Sequence, residues 1–240
     1  MDKVNTKDIE FTLIQNAFDS MERAIELLAW KDVSSDASRL KQAIQLIAHS
    51  IELLLKERLR RIHPSLIWED VDKYPKLDAR TVGVDRAIHR LEHVGGIFIS
   101  TVDTKIIKSL RDTRNAIEHF GWQTDRQEAD IIIGQGLSFA IQFARLNLDR
   151  DPAYLFKGDD TWEKLFEQHS QFAIAYEQRI EKSFGVNVEQ MSGINEKLVR
   201  QCGFCNAMAQ DALTGACSIC GHWEKRSDFS SFSDFEDEPF

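Results

Sequence analysis

The sequence predicts an all-α protein with a small cysteine module and an acidic tail at its C-terminal end. Three observations predict it. Helix breakers are scarce, with 12 Gly and 4 Pro in 240 residues, which disfavours a turn-rich sandwich or barrel. Apolar residues recur at helical spacing in successive stretches. All four cysteines fall between positions 202 and 220, and the first 201 positions contain none.

The helices follow in order. Phe11, Ile14, Phe18, Met21, Ile25 and Leu28 form the stripe of a first helix, and Leu40, Ile44, Ile47, Ile51, Leu54 and Leu55 that of a second. Ser34-Ser35-Asp36 between them offers N-caps, so the pair reads as an antiparallel hairpin. Lys56, Arg58, Arg60 and Arg61 suit the C-terminus of the second helix, and Pro64 stops it. After a less regular stretch from His63 to about Gly83, a short helix spans Asp85–His93 and ends at Gly95-Gly96. A fourth helix starts near Thr101, where Ser100 and Asp103 have capping-box spacing, and stops at Gly121. Ile133, Leu137, Ile141 and Ala144 mark a fifth. A polar loop with Asp151-Pro152 and Gly158-Asp159-Asp160 leads to a sixth, which carries Trp162, Leu165, Phe166, Phe172, Tyr176 and Ile180.

Charge and length set bounds. A chain of 240 residues fits one large domain, or one domain plus a small module. The net charge of −9 opposes a general phosphate-coating DNA binder but leaves room for a local basic cleft. The start, Met1-Asp2-Lys3-Val4-Asn5, lacks the apolar stretch of a signal peptide, and no uninterrupted apolar run approaches a membrane span. The expected location is therefore the cytoplasm, with no membrane partner.

Chemistry concentrates first at Arg111-Asp112-Thr113-Arg114-Asn115-Ala116-Ile117-Glu118-His119-Phe120. An imidazole can act as acid or base near neutral pH. A guanidinium can grip two phosphate oxygens as a fork. Asn115 lies one turn before His119 and can hold the imidazole or contact a ribose, while Lys105 and Lys108 add positive charge upstream. Arg114 and His119 are five residues apart, which places them about 140° apart around an ideal helix. They converge if the helix unwinds near Glu118 or if two chains pool their residues. The bland alternative is an Arg114–Glu118 pair at i, i+4 with His119 as a helix-terminal cap. Of the other histidines, His49, His63, His89, His93 and His169 show no metal spacing and read as surface or core residues.

An Arg followed by a polar residue, with a His five positions after the Arg, on a late helix of an all-helical chain, resembles the signature of the HEPN superfamily. The opening hairpin, with Ser50-Ile51-Glu52-Leu53-Leu54-Leu55-Lys56, resembles the start of that fold, and the resemblance covers roughly residues 6–147. It implies a HEPN-like helical bundle and a homodimer with a shared cleft. It also implies metal-independent cleavage of RNA by Arg114, Asn115 and His119, as in toxins and phage-defence nucleases. Members without nuclease activity exist, so a non-catalytic dimeric adaptor that binds RNA or protein stays open.

Cys202-Gly203-Phe204-Cys205 and Cys217-Ser218-Ile219-Cys220 are two Cys-x2-Cys knuckles with eleven residues between them. Four thiolates suit a tetrahedral zinc, and Asn206 and Gly221 after the knuckles tolerate left-handed backbone. The pattern resembles a zinc ribbon, with iron and a redox dithiol as the alternatives. Such a zinc is structural, and the module would present Phe204, His222, Trp223, Lys225 and Arg226 to a partner, to RNA, or to the fold itself.

The last fourteen residues hold five acids and no base, so the rest of the chain carries only −4 of the −9. Asp234-Phe235-Glu236-Asp237-Glu238-Pro239-Phe240 cannot bury a core and is expected to be disordered. It resembles the C-terminal tip of bacterial single-stranded-DNA-binding proteins, which implies that Phe240 docks in a protein partner's pocket. An autoinhibitory or an idle solvated tail are the other readings. The expected organisation is a helical domain at 1–147, an additional helix and linker at 148–199, the zinc-ribbon-like module at 200–226 and the tail at 227–240.

Overall fold

The computed structural model describes residues 10–30, 36–150, 160–183, 199–203, 208–211, 215 and 217. The chain divides into two compact units, Met1–Arg179 and Ile180–Phe240.

The first unit is a helical bundle. Helices α1 (Leu13–Ala29) and α2 (Asp36–Ile62) form the expected hairpin and pack more extensively on each other than any other pair. Thr12 caps α1 in a full capping box with Gln15. Ala17, Met21, Ala24, Ile25 and Leu28 of α1 and Ile44, Ile47, Ile51 and Leu54 of α2 are all essentially solvent-free. Where Ser50 crosses the seam, its hydroxyl donates to the Ala17 carbonyl at 2.8 Å, so the buried polar atom is satisfied. At about 40 Å, α2 is the long axis of the bundle.

Between α2 and α3 (Val84–His93) the chain makes two 3-10 turns, Pro64–Ile67 and Val71–Lys73. Arg90 of α3 holds this segment by donating to the carbonyls of Leu66, Trp68 and Glu69. Helix α4 (Thr101–His119) starts where expected, with Ser100 Oγ accepting from the Asp103 amide at 3.0 Å.

Helix α5 (Arg126–Leu148) is largely apolar and buried because α2, α4 and the helix carrying Gln171 and Phe172 pack against it. By length and composition it could cross a membrane, and 61% of its most apolar window is buried within the protein, as for a core helix. Gly134 lets it touch its neighbour directly: a Cβ there would lie 2.7 Å from the backbone of Gln171 and Phe172.

The expected sixth helix is two, α6 (Asp160–Gln168) and α7 (Ser170–Ser183), with the break at His169. The His169 amide closes α6 on the Leu165 carbonyl, while its own carbonyl starts α7 by accepting from Phe172 and Ala173. No Gly or Pro marks the break; it follows from burying the imidazole, which is 5% exposed against α1. Helix α6 packs on α1 through a Trp30–Thr161 hydrogen bond and a Lys164–Trp30 cation–π contact. Trp162, Phe166, Phe172 and Tyr176 form one aromatic cluster across α6 and α7.

The second unit contains a two-stranded antiparallel ribbon, β1 (Val199–Gln201) and β2 (Met208–Asp211), with an irregularity between Arg200 and Gln201. Cys217 bridges Gln210 on the strand β2. Cys205, Cys220, Ser34-Ser35, the 151–159 loop and the acidic tail with Phe240 lie outside the described residues.

Candidate functional site

The Arg114–His119 segment forms the last turns of α4. Ile107 and Leu110 anchor the first half of this helix in the core, and no residue from Arg111 to His119 is buried. The local sequence explains it: only Ala116 and Ile117 are apolar there, and both remain partly exposed. Phe120 follows at 86% exposure, next to an imidazole whose side chain is 64% exposed.

The helix is regular to its end, with the Phe120 amide on the Ala116 carbonyl, so no unwinding occurs at Glu118. Arg114 Nε donates to Glu118 Oε1 at 2.9 Å, which is the i, i+4 pair of the bland reading. The other oxygen of that carboxylate lies 4.0 Å from His119 Nε2. Arg114 and His119 thus sit on either side of one acid. The pair consumes only the Arg114 Nε, and its two Nη groups have no partner among the described residues. Asn115 makes no side-chain hydrogen bond among the described residues and is partly exposed.

The upstream cations are less available than their sequence implies. Arg111 is clamped between Asp85 and Asp112, and Lys108 lies 3.5 Å from the same Asp85. The Asp112 hydrogen bond, opposed by partial burial and helped by Asp85, holds the Arg111 guanidinium above its ordinary pKa. Lys105 stands exposed, with no ion pair among the described residues.

In the second unit, Cys202 follows β1 directly, and Cys217 lies beside β2; both thiols are fully buried. The first cysteine of each knuckle is thus placed on the ribbon, Cys202 at the end of β1 and Cys217 beside β2. Gln210 Nε2 donates to the Gly215 carbonyl at 2.9 Å, and Gly215 has a φ of +76°, which suits glycine. Two buried thiols on one ribbon fit half of a four-cysteine site. Among the described residues there is no group of three or more metal-ligating side chains.

Sequence reasoning missed a polar cleft in the first unit, lined by Asp36, Arg39, Arg126, Gln168 and His169. Its residues are distant in sequence and fall in no motif, so only the packing of α1, α2, α5 and α6 brings them together. Comparison with protein-family models, with curated proteins and with solved structures found no match.

Proposed function

We propose that the chain is a metal-independent endoribonuclease of the HEPN type, with two chains packing their α4 ends to share one RNA cleft. The observation that carries the reading is the solvent-facing end of α4. There Arg114, Asn115 and His119 are presented without burial, beside an almost fully exposed Phe120. An unburied helix end with apolar residues at its tip suits a second copy of itself, and pooling two copies overcomes the angular separation of Arg114 and His119.

In this reading the ribose 2′-hydroxyl attacks the adjacent phosphorus and the bond to the 5′-oxygen breaks. One His119 moves the proton: it takes it from the hydroxyl and delivers it to the leaving 5′-oxygen, so the imidazole ends as it began. Arg114 holds the non-bridging oxygens, releasing Glu118, and Asn115 orients the imidazole or the ribose. The products would carry 2′,3′-cyclic phosphates, and DNA, which lacks the hydroxyl, would not be cut. The four cysteines would hold one structural zinc, away from this chemistry, and the tail would dock Phe240 on a protein partner.

The test is RNA cleavage by full-length protein. Losing the proton carrier costs about 10²–10⁴-fold, and losing an anion-stabilising donor about 10²–10³-fold. His119→Ala and Arg114→Ala should each lower cleavage by these factors while the fold is kept. Equal cleavage by wild type and both variants contradicts the reading.

One observation favours the second reading, a non-catalytic dimeric adaptor. Arg114, Arg111 and Lys108 all sit beside acids, which lowers the net positive field of the cleft. An adaptor would bind RNA or a protein through the same surface and leave RNA intact.

A further inference from the structure

Two histidines face solvent one turn apart at the end of α3. His89 and His93 are both exposed, four residues and about 40° apart around the helix, so their rings leave the same face. The rings stack, with centroids 4.1 Å apart and planes at 15°. His93 Nδ1 lies 2.9 Å from the His89 carbonyl oxygen. A carbonyl only accepts, so the proton sits on Nδ1, and the neutral ring keeps its lone pair at Nε2. A backbone carbonyl on one ring nitrogen is the contact that fixes a metal-binding imidazole and turns its other nitrogen outward. Neither His93 Nε2 nor either ring nitrogen of His89 has a hydrogen bond or ion pair among the described residues.

An i, i+4 spacing on one helix face is the spacing with which paired histidines chelate zinc. Two nitrogens on one tetrahedral zinc stand roughly 3.4 Å apart, given bonds of about 2.0–2.1 Å. Rings already 4.1 Å apart reach that separation by turning about their side-chain torsions. The surroundings favour a cation. His93 ends α3, where the negative pole of the helix dipole lies. Glu92 flanks the pair and makes no ion pair among the described residues. The neighbouring cations are engaged elsewhere. Arg90 donates to the carbonyls of Leu66, Trp68 and Glu69, Arg86 lies 3.7 Å from Glu69 Oε1, and Lys108 and Arg111 are both on Asp85.

We propose that His89 and His93 chelate one divalent cation of the zinc class, with water in its remaining positions. Imidazole selects zinc, cobalt and nickel ions over Mg²⁺ and Ca²⁺, which take oxygen ligands. No group of three ligating side chains occurs among the described residues, so the ion keeps open positions and its site is weaker than one of four thiolates. Bound metal ties the last turn of α3 together and stabilises the folded state. The site uses none of Arg114, Asn115, His119 or the cysteines, so it stands apart from the nuclease and from the zinc-ribbon reading.

Calorimetric titration of the full-length protein with zinc chloride tests it, after dialysis that empties the weaker site and leaves the metal of the cysteine module in place. Wild type should show one saturable site in the micromolar range, which Mg²⁺ neither fills nor competes for. Loss of an outer partner of a ligand alone costs about 10–100-fold in metal affinity. His89→Ala and His93→Ala, which remove a ligand itself, should each weaken binding by about 100-fold or more. Both positions are exposed and alanine is the best helix former, so circular dichroism of the variants should match wild type. His63→Ala should bind as wild type, and the Cys217→Ser/Cys220→Ser variant should keep the site. In nitrogen NMR the His89 and His93 rings should shift with added zinc. The proposal is overturned if zinc binds only in the millimolar range, if Mg²⁺ binds equally well, if either histidine variant binds as tightly as wild type, or if the site disappears with the cysteines.

Discussion

At the residue scale, Glu57 shows how a buried charge is kept. It is 1% exposed on the inner side of α2, and its carboxylate accepts from Arg60 at 2.7 and 2.9 Å and from Arg61 at 3.0 Å. Burial alone would raise its pKa, but the two arginines together outweigh burial and hold the carboxyl below its ordinary value. The folded state therefore binds the proton less readily than the unfolded chain. The stabilisation is present above the unfolded carboxyl value and is lost as pH falls through the folded one. His169 acts in the same direction higher on the scale: its lowered pKa means that the unfolded imidazole takes up protons first, so stability falls as pH drops below about 6.5. Thermal denaturation should show Tm falling on acidification, first through His169 and then through Glu57. His169→Gln should flatten the part between pH 7 and 5. Glu57→Gln should cost about 1–3 kcal/mol at pH 7 and flatten the part below, since both arginines reach solvent and recover some hydration. A Tm independent of pH across this range would contradict both assignments.

At the element scale, the crossing of α5 and α7 sets two effects against each other. Alanine in place of Gly134 gains about 1 kcal/mol of helix propensity. Its Cβ, however, meets backbone atoms of Gln171 and Phe172 at 2.7 Å, and backbone cannot rotate away. Overpacking of this kind costs about 1–3 kcal/mol, so Gly134→Ala should lower the urea midpoint. Gly136→Ala, whose Cβ would meet the side chains of Leu110 and Ile47 at 3.1 and 3.2 Å, should cost less or nothing. If Gly134→Ala stabilised the protein, the close crossing would be wrong. Helices α1 to α5 are readable because each has a stripe, a cap or a stop, and Ser100 accepts the Asp103 amide as its spacing predicts; the caps Thr12 of α1 and Asp125 of α5 emerge only in the fold. The α6–α7 break was not readable, since its cause is a long-range contact of His169 with α1. For the same reason Arg61 was read as a cation at the end of its own helix, although it also donates to the Leu148 carbonyl and closes α5. The motif on α4 and its Arg114–Glu118 pair are legible as residues, whereas the approach of the same carboxylate to His119 at 4.0 Å is visible only in the fold. The cleft at Arg39 and Arg126 had no local signature at all.

At the scale of the whole molecule, the first unit is a helical bundle with its own buried core, and the second contains, among the described residues, a short two-stranded ribbon. A two-stranded ribbon is marginal in water by itself, and a metal or disulfides can staple it. The buried Cys202 and Cys217 beside β1 and β2 fit the first of these. Elemental analysis should find about one zinc per chain, and the Cys217→Ser/Cys220→Ser double variant should lose it. Unchanged metal content in that variant would refute the four-cysteine site. The helical unit has its own buried core, so RNA cleavage should persist in the variant as long as the chains still pair.

In the proposed nuclease two chains complete one cleft. The shared cleft is tested most directly by RNA cleavage with an equimolar mixture of Arg114→Ala and His119→Ala chains, unfolded together and refolded so that mixed pairs form. A mixed pair retains Arg114 from one chain and His119 from the other. The account predicts that each variant alone is inactive and that the mixture regains cleavage, with products ending in 2′,3′-cyclic phosphates. A mixture as inactive as its components, beside wild-type protein that cuts the same RNA, would contradict the shared cleft. Wild-type protein that leaves every RNA intact would contradict the nuclease and leave the adaptor.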